Sequence, residues 1–93
     1  MTATDERVLD QLMHALADET RRRLVAMVRD NPGLTTAQLA ERIPTMTRWG
    51  VMKHLDVLRD AGLIQTMTEG RNSRHFVEPA ALAPLKRYLE TAL

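Results

Sequence analysis

A mainly helical fold with one small β-hairpin is predicted by three features of this 93-residue chain. Several segments repeat apolar residues at the three- and four-residue spacing of an amphipathic helix. The stretch Leu63–Val77 is instead rich in β-branched and apolar residues. It is interrupted by the turn-forming run Gly70-Arg71-Asn72-Ser73. Between Thr47 and Gly62 lies a helix with its own start, inner face, outer face and stop.

Composition narrows the possibilities before any element is placed. A chain of this length makes one small domain, 1–93. Its net charge is +1, so affinity for nucleic acid has to come from local basic patches. There is no cysteine, which excludes disulfides and thiolate metal sites. No apolar run approaches a membrane span and no secretory signal leads the chain, so a cytoplasmic protein is expected. One serine and no pair of carboxylates in apolar surroundings give no nucleophile–base constellation. No enzyme is expected, and no cofactor.

The first helix is predicted over Thr4–Ala17, with Asp5 and Glu6 complementing the dipole in its first turn. Val8, Leu9, Leu12, Met13 and Leu16 form an apolar arc wider than one neighbour needs. Either the whole arc is buried in the monomer, or part of it meets a second subunit. Asp18 caps the next helix, Glu19–Asp30, whose inner face is Leu24, Val25 and Val28. The run Arg21-Arg22-Arg23 reads as a solvated face from which an arginine could reach a phosphate or an acidic partner. Asn31-Pro32-Gly33 makes a turn. Thr35 and Gln38 have the spacing of a capping box. They open a short helix with Leu39, Ala40 and Ile43 inside, ended by Pro44.

Thr47 is the N-cap of the following helix and Gly62 its stop. Val51, Leu55 and Leu58 share one face. The opposite face carries Trp49, Met52, Lys53 and Asp56. A tryptophan and a methionine beside a lysine suit contact better than solvent. Two helices joined tightly, the second with such a face, make a helix-turn-helix; the N-terminal residues of its second helix face base edges in the major groove. The hairpin after it is a wing, with Arg71 and Arg74 at or beside its tip. In the last segment Pro79 fits a first turn and Pro84 does not fit a helix interior. A short turn and then a helix from about Ala83 are therefore predicted. Leu82, Leu85 and Leu89 form a stripe without an obvious partner in so small a domain. Together with Val8, Leu9 and Leu12 they suggest a dimer built from both ends of the chain. A winged helix that binds protein instead of DNA is the rival reading, since a fold alone does not fix function.

Four runs then resemble one family. These are A-L-A-D-E-T-R-R-R-L from Ala15, L-T-T-A-Q-L-A from Leu34, V-M-K-H-L-D-V-L-R-D-A-G-L-I from Val51 and E-G-R from Glu69. In order and spacing they resemble the ArsR family of bacterial winged helix-turn-helix repressors. The resemblance implies a homodimer joined by its first and last helices. It implies binding of double-stranded operator DNA by the helix that Thr47 begins, with Arg48, Trp49, Met52 and Lys53 toward the groove. Small polar residues are usual in the family where this chain has Trp49 and Met52, which points toward thymine-methyl or sugar-phosphate contact. The family's metal sites do not carry over. There is no cysteine pair, and the last helix offers Glu90 but no histidine. His14, His54 and His75 fall in three separate elements, and His54, at the edge of a buried face, reads as structural. No metal is expected, and a small-molecule effector is left open.

Overall fold

The computed structural model describes residues 3–92; Met1, Thr2 and Leu93, the ends of the expected 1–93 domain, lie outside the described residues. Five α-helices and three short strands follow in the order α1 (Ala3–Leu16), α2 (Glu19–Asp30), β1 (Leu34–Thr35), α3 (Thr36–Glu41), α4 (Arg48–Asp60), β2 (Ile64–Glu69), β3 (Asn72–Val77) and α5 (Ala83–Ala92). A 3-10 turn, Pro79–Leu82, joins β3 to α5. The mainly helical fold with a small hairpin is as the sequence predicts.

Local chemistry sets the boundaries. Asp18 Oδ1 accepts from the Arg21 N–H and starts α2. Thr35 and Gln38 form the full capping box of α3, each side chain accepting from the other's backbone N–H. Helix α4 ends in a Schellman motif. The Leu63 N–H donates to the Leu58 carbonyl and the Gly62 N–H to that of Arg59. Gly62 takes φ +78°, a left-handed conformation without cost only for glycine. Pro84 is the second residue of α5, where its missing N–H would have had no helical partner anyway.

One apolar core joins these elements. It draws on Leu12 and Ala15 of α1, Leu24 and Val28 of α2, Leu39 of α3, and Val51, Leu55 and Leu58 of α4. Leu63 and Ile64 close it from the wing side. The sheet has the order β1-β3-β2 and is antiparallel throughout. The hairpin is therefore three-stranded at its root. The pairs Leu34–His75 and Thr35–Arg74 tie β3 to the start of α3.

Candidate nucleic-acid interface

Helix α4 is held in rotation by its buried side. Val51, Leu55 and Leu58 are in the core, which turns Arg48, Trp49, Met52 and Lys53 outward. Its start is fixed by Thr47, extended at φ −70° and ψ 158°, whose Oγ1 accepts from the Gly50 N–H at 3.0 Å. A Cβ at Gly50 would come within 2.8 Å of Met46 Cγ, so glycine lets Met46 lie against the helix entry. Trp49 is 67% exposed and Met52 47%, so neither is a core residue of this chain. Lys53 Nζ lies 4.7 Å from the centre of the Trp49 ring, one turn back. At this distance the cation is attracted by the negative face of the ring. Arg48 is exposed and has no ion pair within the described chain.

The wing tip is tighter than the sequence suggests. The expected four-residue turn Gly70–Ser73 is a two-residue one, Gly70-Arg71, because Asn72 and Ser73 pair with Glu69 and Thr68. Gly70 has φ +61° and, among the described residues, no non-glycine residue has positive φ, so Arg71 does not; this is the pattern of a II′ hairpin turn. Arg71 is at the tip, exposed and unpaired. Arg74 is not at the tip. It sits within β3 opposite Met67, where its Nε donates to Glu69 Oε2 and its Nη1 to the Gly33 carbonyl, both at 3.0 Å. Alternation along β3 sends Ser73 and His75 toward α4 and Arg74 to the other face. A cleft of about 80 Å³ separates α4 from this wing face, lined by Met52, Asp56, Arg59, Ser73 and His75 among others.

The residues expected at a dimer interface divide. Leu12 is 0% exposed and Leu9 is buried, so both belong to the chain's own core and present no surface to a partner. Packing of α1 on α2 and α5 within one chain fills that part of the wide arc. Val8, Leu82 and Leu85 are half-buried against the core. Leu89 is exposed, as are Met13 and Tyr88, which sequence patterning did not single out for the interface.

Arg21 and Arg22 of the arginine run are engaged within the chain, whereas Arg23 is exposed, with no hydrogen bond or ion pair among the described residues, as a solvated face requires. Arg21 donates to the Ala15 carbonyl at 2.7 Å and the His14 carbonyl at 2.9 Å, and Arg22 to that of Leu16 at 2.7 Å. These are carbonyls of the last turn of α1, where only that of His14 also accepts from a backbone N–H, that of Ala17. His54 sits 3.4 Å from Arg21 Nη1 and 4.0 Å from Asp18 Oδ1. Its position between α2 and α4 fits the structural reading. Hydrogen bonding to the Arg21 amide is the main reason that the Asp18 carboxyl lies below its ordinary pKa. Among the described residues no three His, Asp or Glu side chains converge on one point. No described helix is long and apolar enough to cross a membrane.

A short helix and a following outward-facing helix, flanked by a three-stranded wing, define a winged helix-turn-helix protein. Residues 16–66 match the profile of a helix-turn-helix domain. The chain is 35% identical over 81 residues to the HTH-type transcriptional regulator Rv2034 of Mycobacterium tuberculosis, an alignment covering 87% of this chain and 74% of that protein. Its fold superposes on an ArsR-like transcriptional regulator from Rhodococcus sp. RHA1 with TM-score 0.85 and 30% identity, covering 99% and 83% of the two chains. A crystal structure of an ArsR family transcriptional regulator, RHA00566, gives TM-score 0.86 at 29% identity over 94% of this chain and 88% of that one. The chain belongs to the ArsR family of helix-turn-helix transcriptional regulators.

Proposed function

We propose that this regulator binds an inverted-repeat operator in double-stranded DNA as a homodimer and acts as a repressor. Helix α4 enters the major groove with Arg48, Trp49, Met52 and Lys53 toward the base edges. The Thr47 end of α4 brings unpaired backbone N–H groups near a phosphate. Arg71 at the wing tip reaches the adjacent backbone. Arg74 supports the wing from behind, through Glu69 and the Gly33 carbonyl. One observation carries the reading. Trp49 and Met52 are large, apolar and exposed on the outward side of α4, beside an Arg48 that has no protein partner. Trp49 and Met52 suit the C5-methyl of thymine, and Arg48 a guanine edge or phosphate.

The test is selection of bound sequences from a random DNA pool. Enrichment of an inverted repeat is expected, with half-sites about 10 base pairs apart or a multiple of that. The same exposed apolar pair also suits the rival, a module that docks on protein. Salt separates the two, because only phosphate neutralisation releases condensed counterions and gives a steep loss of affinity. No enriched sequence together with salt-insensitive binding would favour the rival.

A further inference from the structure

His75 on β3 is 1% exposed and has no part in the reading so far. Its Nε2 lies 2.8 Å from Thr36 Oγ1, at the start of α3. Its Nδ1 lies 2.9 Å from Thr66 Oγ1 on β2. That hydroxyl oxygen also accepts from Arg59 Nη1 at 2.9 Å. Arg59 in turn donates to the Asp56 carboxylate, and both residues belong to α4. One chain of hydrogen bonds thus runs from the first helix of the motif, through both long wing strands, to the groove-facing helix.

We propose that neutral His75 is a positioning residue for DNA binding, holding the wing and α4 in the one relative placement in which both meet a duplex. The inference rests on the DNA-binding reading above. Neutral imidazole offers one donor and one acceptor, and each threonine hydroxyl can play either part. The chain then closes, and among the described residues no buried side-chain nitrogen or oxygen lacks a partner. Protonation makes both ring nitrogens donors. Whichever nitrogen carried the hydrogen before, one threonine hydroxyl loses its acceptor. The imidazolium would also face the Arg59 guanidinium, which donates to the same Thr66 hydroxyl. Arg59 and Asp56 are the charged groups facing the ring from α4. From α3, β1 and β2 its neighbours are Thr36, Leu34 and Thr66, all uncharged. Burial first, and Arg59 second, hold the imidazole below its ordinary pKa of 6.5.

The direction of the effect follows from linkage. A folded state that binds fewer protons at this ring than the unfolded state is favoured as pH rises. The contribution is complete above 6.5 and is lost as pH falls through the lowered pKa. DNA binding that requires the neutral ring weakens at lower pH still, by up to about tenfold per pH unit below the folded pKa. Ordinary electrostatics gives the opposite sign, since protonating a histidine adds a charge that attracts phosphate.

The experiment uses the full chain and an operator duplex from the selection, between pH 8 and pH 5 at constant ionic strength. Affinity, far-UV circular dichroism and the ring resonances of His75 are followed in the same buffers. The wild type should lose affinity as His75 titrates while remaining folded. His54→Gln should retain that loss. His75→Gln keeps a donor and an acceptor without titrating, and should lack it. Should His75→Gln not fold, Thr66→Val, nearly the same shape, cuts the chain at the wing. It is expected to bind several-fold more weakly at pH 8 with a flattened pH response. Affinity that holds or rises while His75 titrates would overturn the proposal. So would an equal loss in His75→Gln or, if that variant is unfolded, in Thr66→Val, or unfolding of the free wild type at the pH where binding fails. Absence of DNA binding at every pH would instead sink the DNA-binding reading, and this proposal with it.

Discussion

Trp49 and Lys53 form one unit on the outward face of α4, since the ammonium rests over the indole ring. A lysine alone would be a mobile point charge; stacked, it has fewer positions from which to approach a guanine edge. Replacing Trp49 by Ala therefore removes an apolar contact and releases Lys53 together. Because Trp49 is mostly solvent-exposed, its loss should change stability by no more than about 0.5 kcal/mol in chemical denaturation. Operator affinity should fall in Trp49→Ala and in Lys53→Ala, and the double variant should lose less than the two losses added, by about 0.5–2 kcal/mol. Strict additivity would show that the stacked pair does not survive in the complex. Undiminished binding in both single variants would remove α4 as the reader.

At the scale of elements, the hairpin separates two arginines that look equivalent in the sequence. Arg71 projects from the turn; Arg74 is engaged with Glu69 and the Gly33 carbonyl. Arg71→Ala should lower the salt slope of DNA binding by roughly one unit and leave stability unchanged, as expected for one lost phosphate contact. Arg74→Ala should leave the slope nearly intact and lower the thermal midpoint, because it unties the wing from the loop before β1. A reversal of the two phenotypes would return Arg74 to the DNA. The helices were readable because their signals are local. Asp18, Thr35, Thr47 and Gly62 act within one turn of where they stand, and spacing alone turns Trp49 outward. Strand β1 was not readable, because two residues carry no period and its partner, β3, comes only after α3, α4 and β2. The stacking of Lys53, the pairing of Arg74 and the hydrogen bonds of His75 depend on side-chain directions that only the folded packing decides.

For the molecule as a whole, the proposed dimer has to be built from what the monomer leaves uncovered. Leu12 is excluded by its burial, so Leu12→Glu should unfold the chain, a charge having been forced into the core. Leu89→Glu should instead yield folded monomers by light scattering, together with loss of operator binding. A folded dimer in that variant would move the interface away from α5. Helix α5 has no fully buried residue of its own, whereas α1, α2, α3 and α4 each contribute to the core. Segments with few buried contacts open at low free-energy cost, well before the protein unfolds. In dilute solution the backbone of 83–92 should therefore be cleaved first by a non-specific protease, and cleavage should slow as concentration rises and pairing covers the helix. Were the proposed dimer to form through α5, lifetime in a cell would depend on abundance. Chains too scarce to pair would be trimmed, while paired chains persist, so the amount of regulator sharpens into a threshold without any ligand taking part.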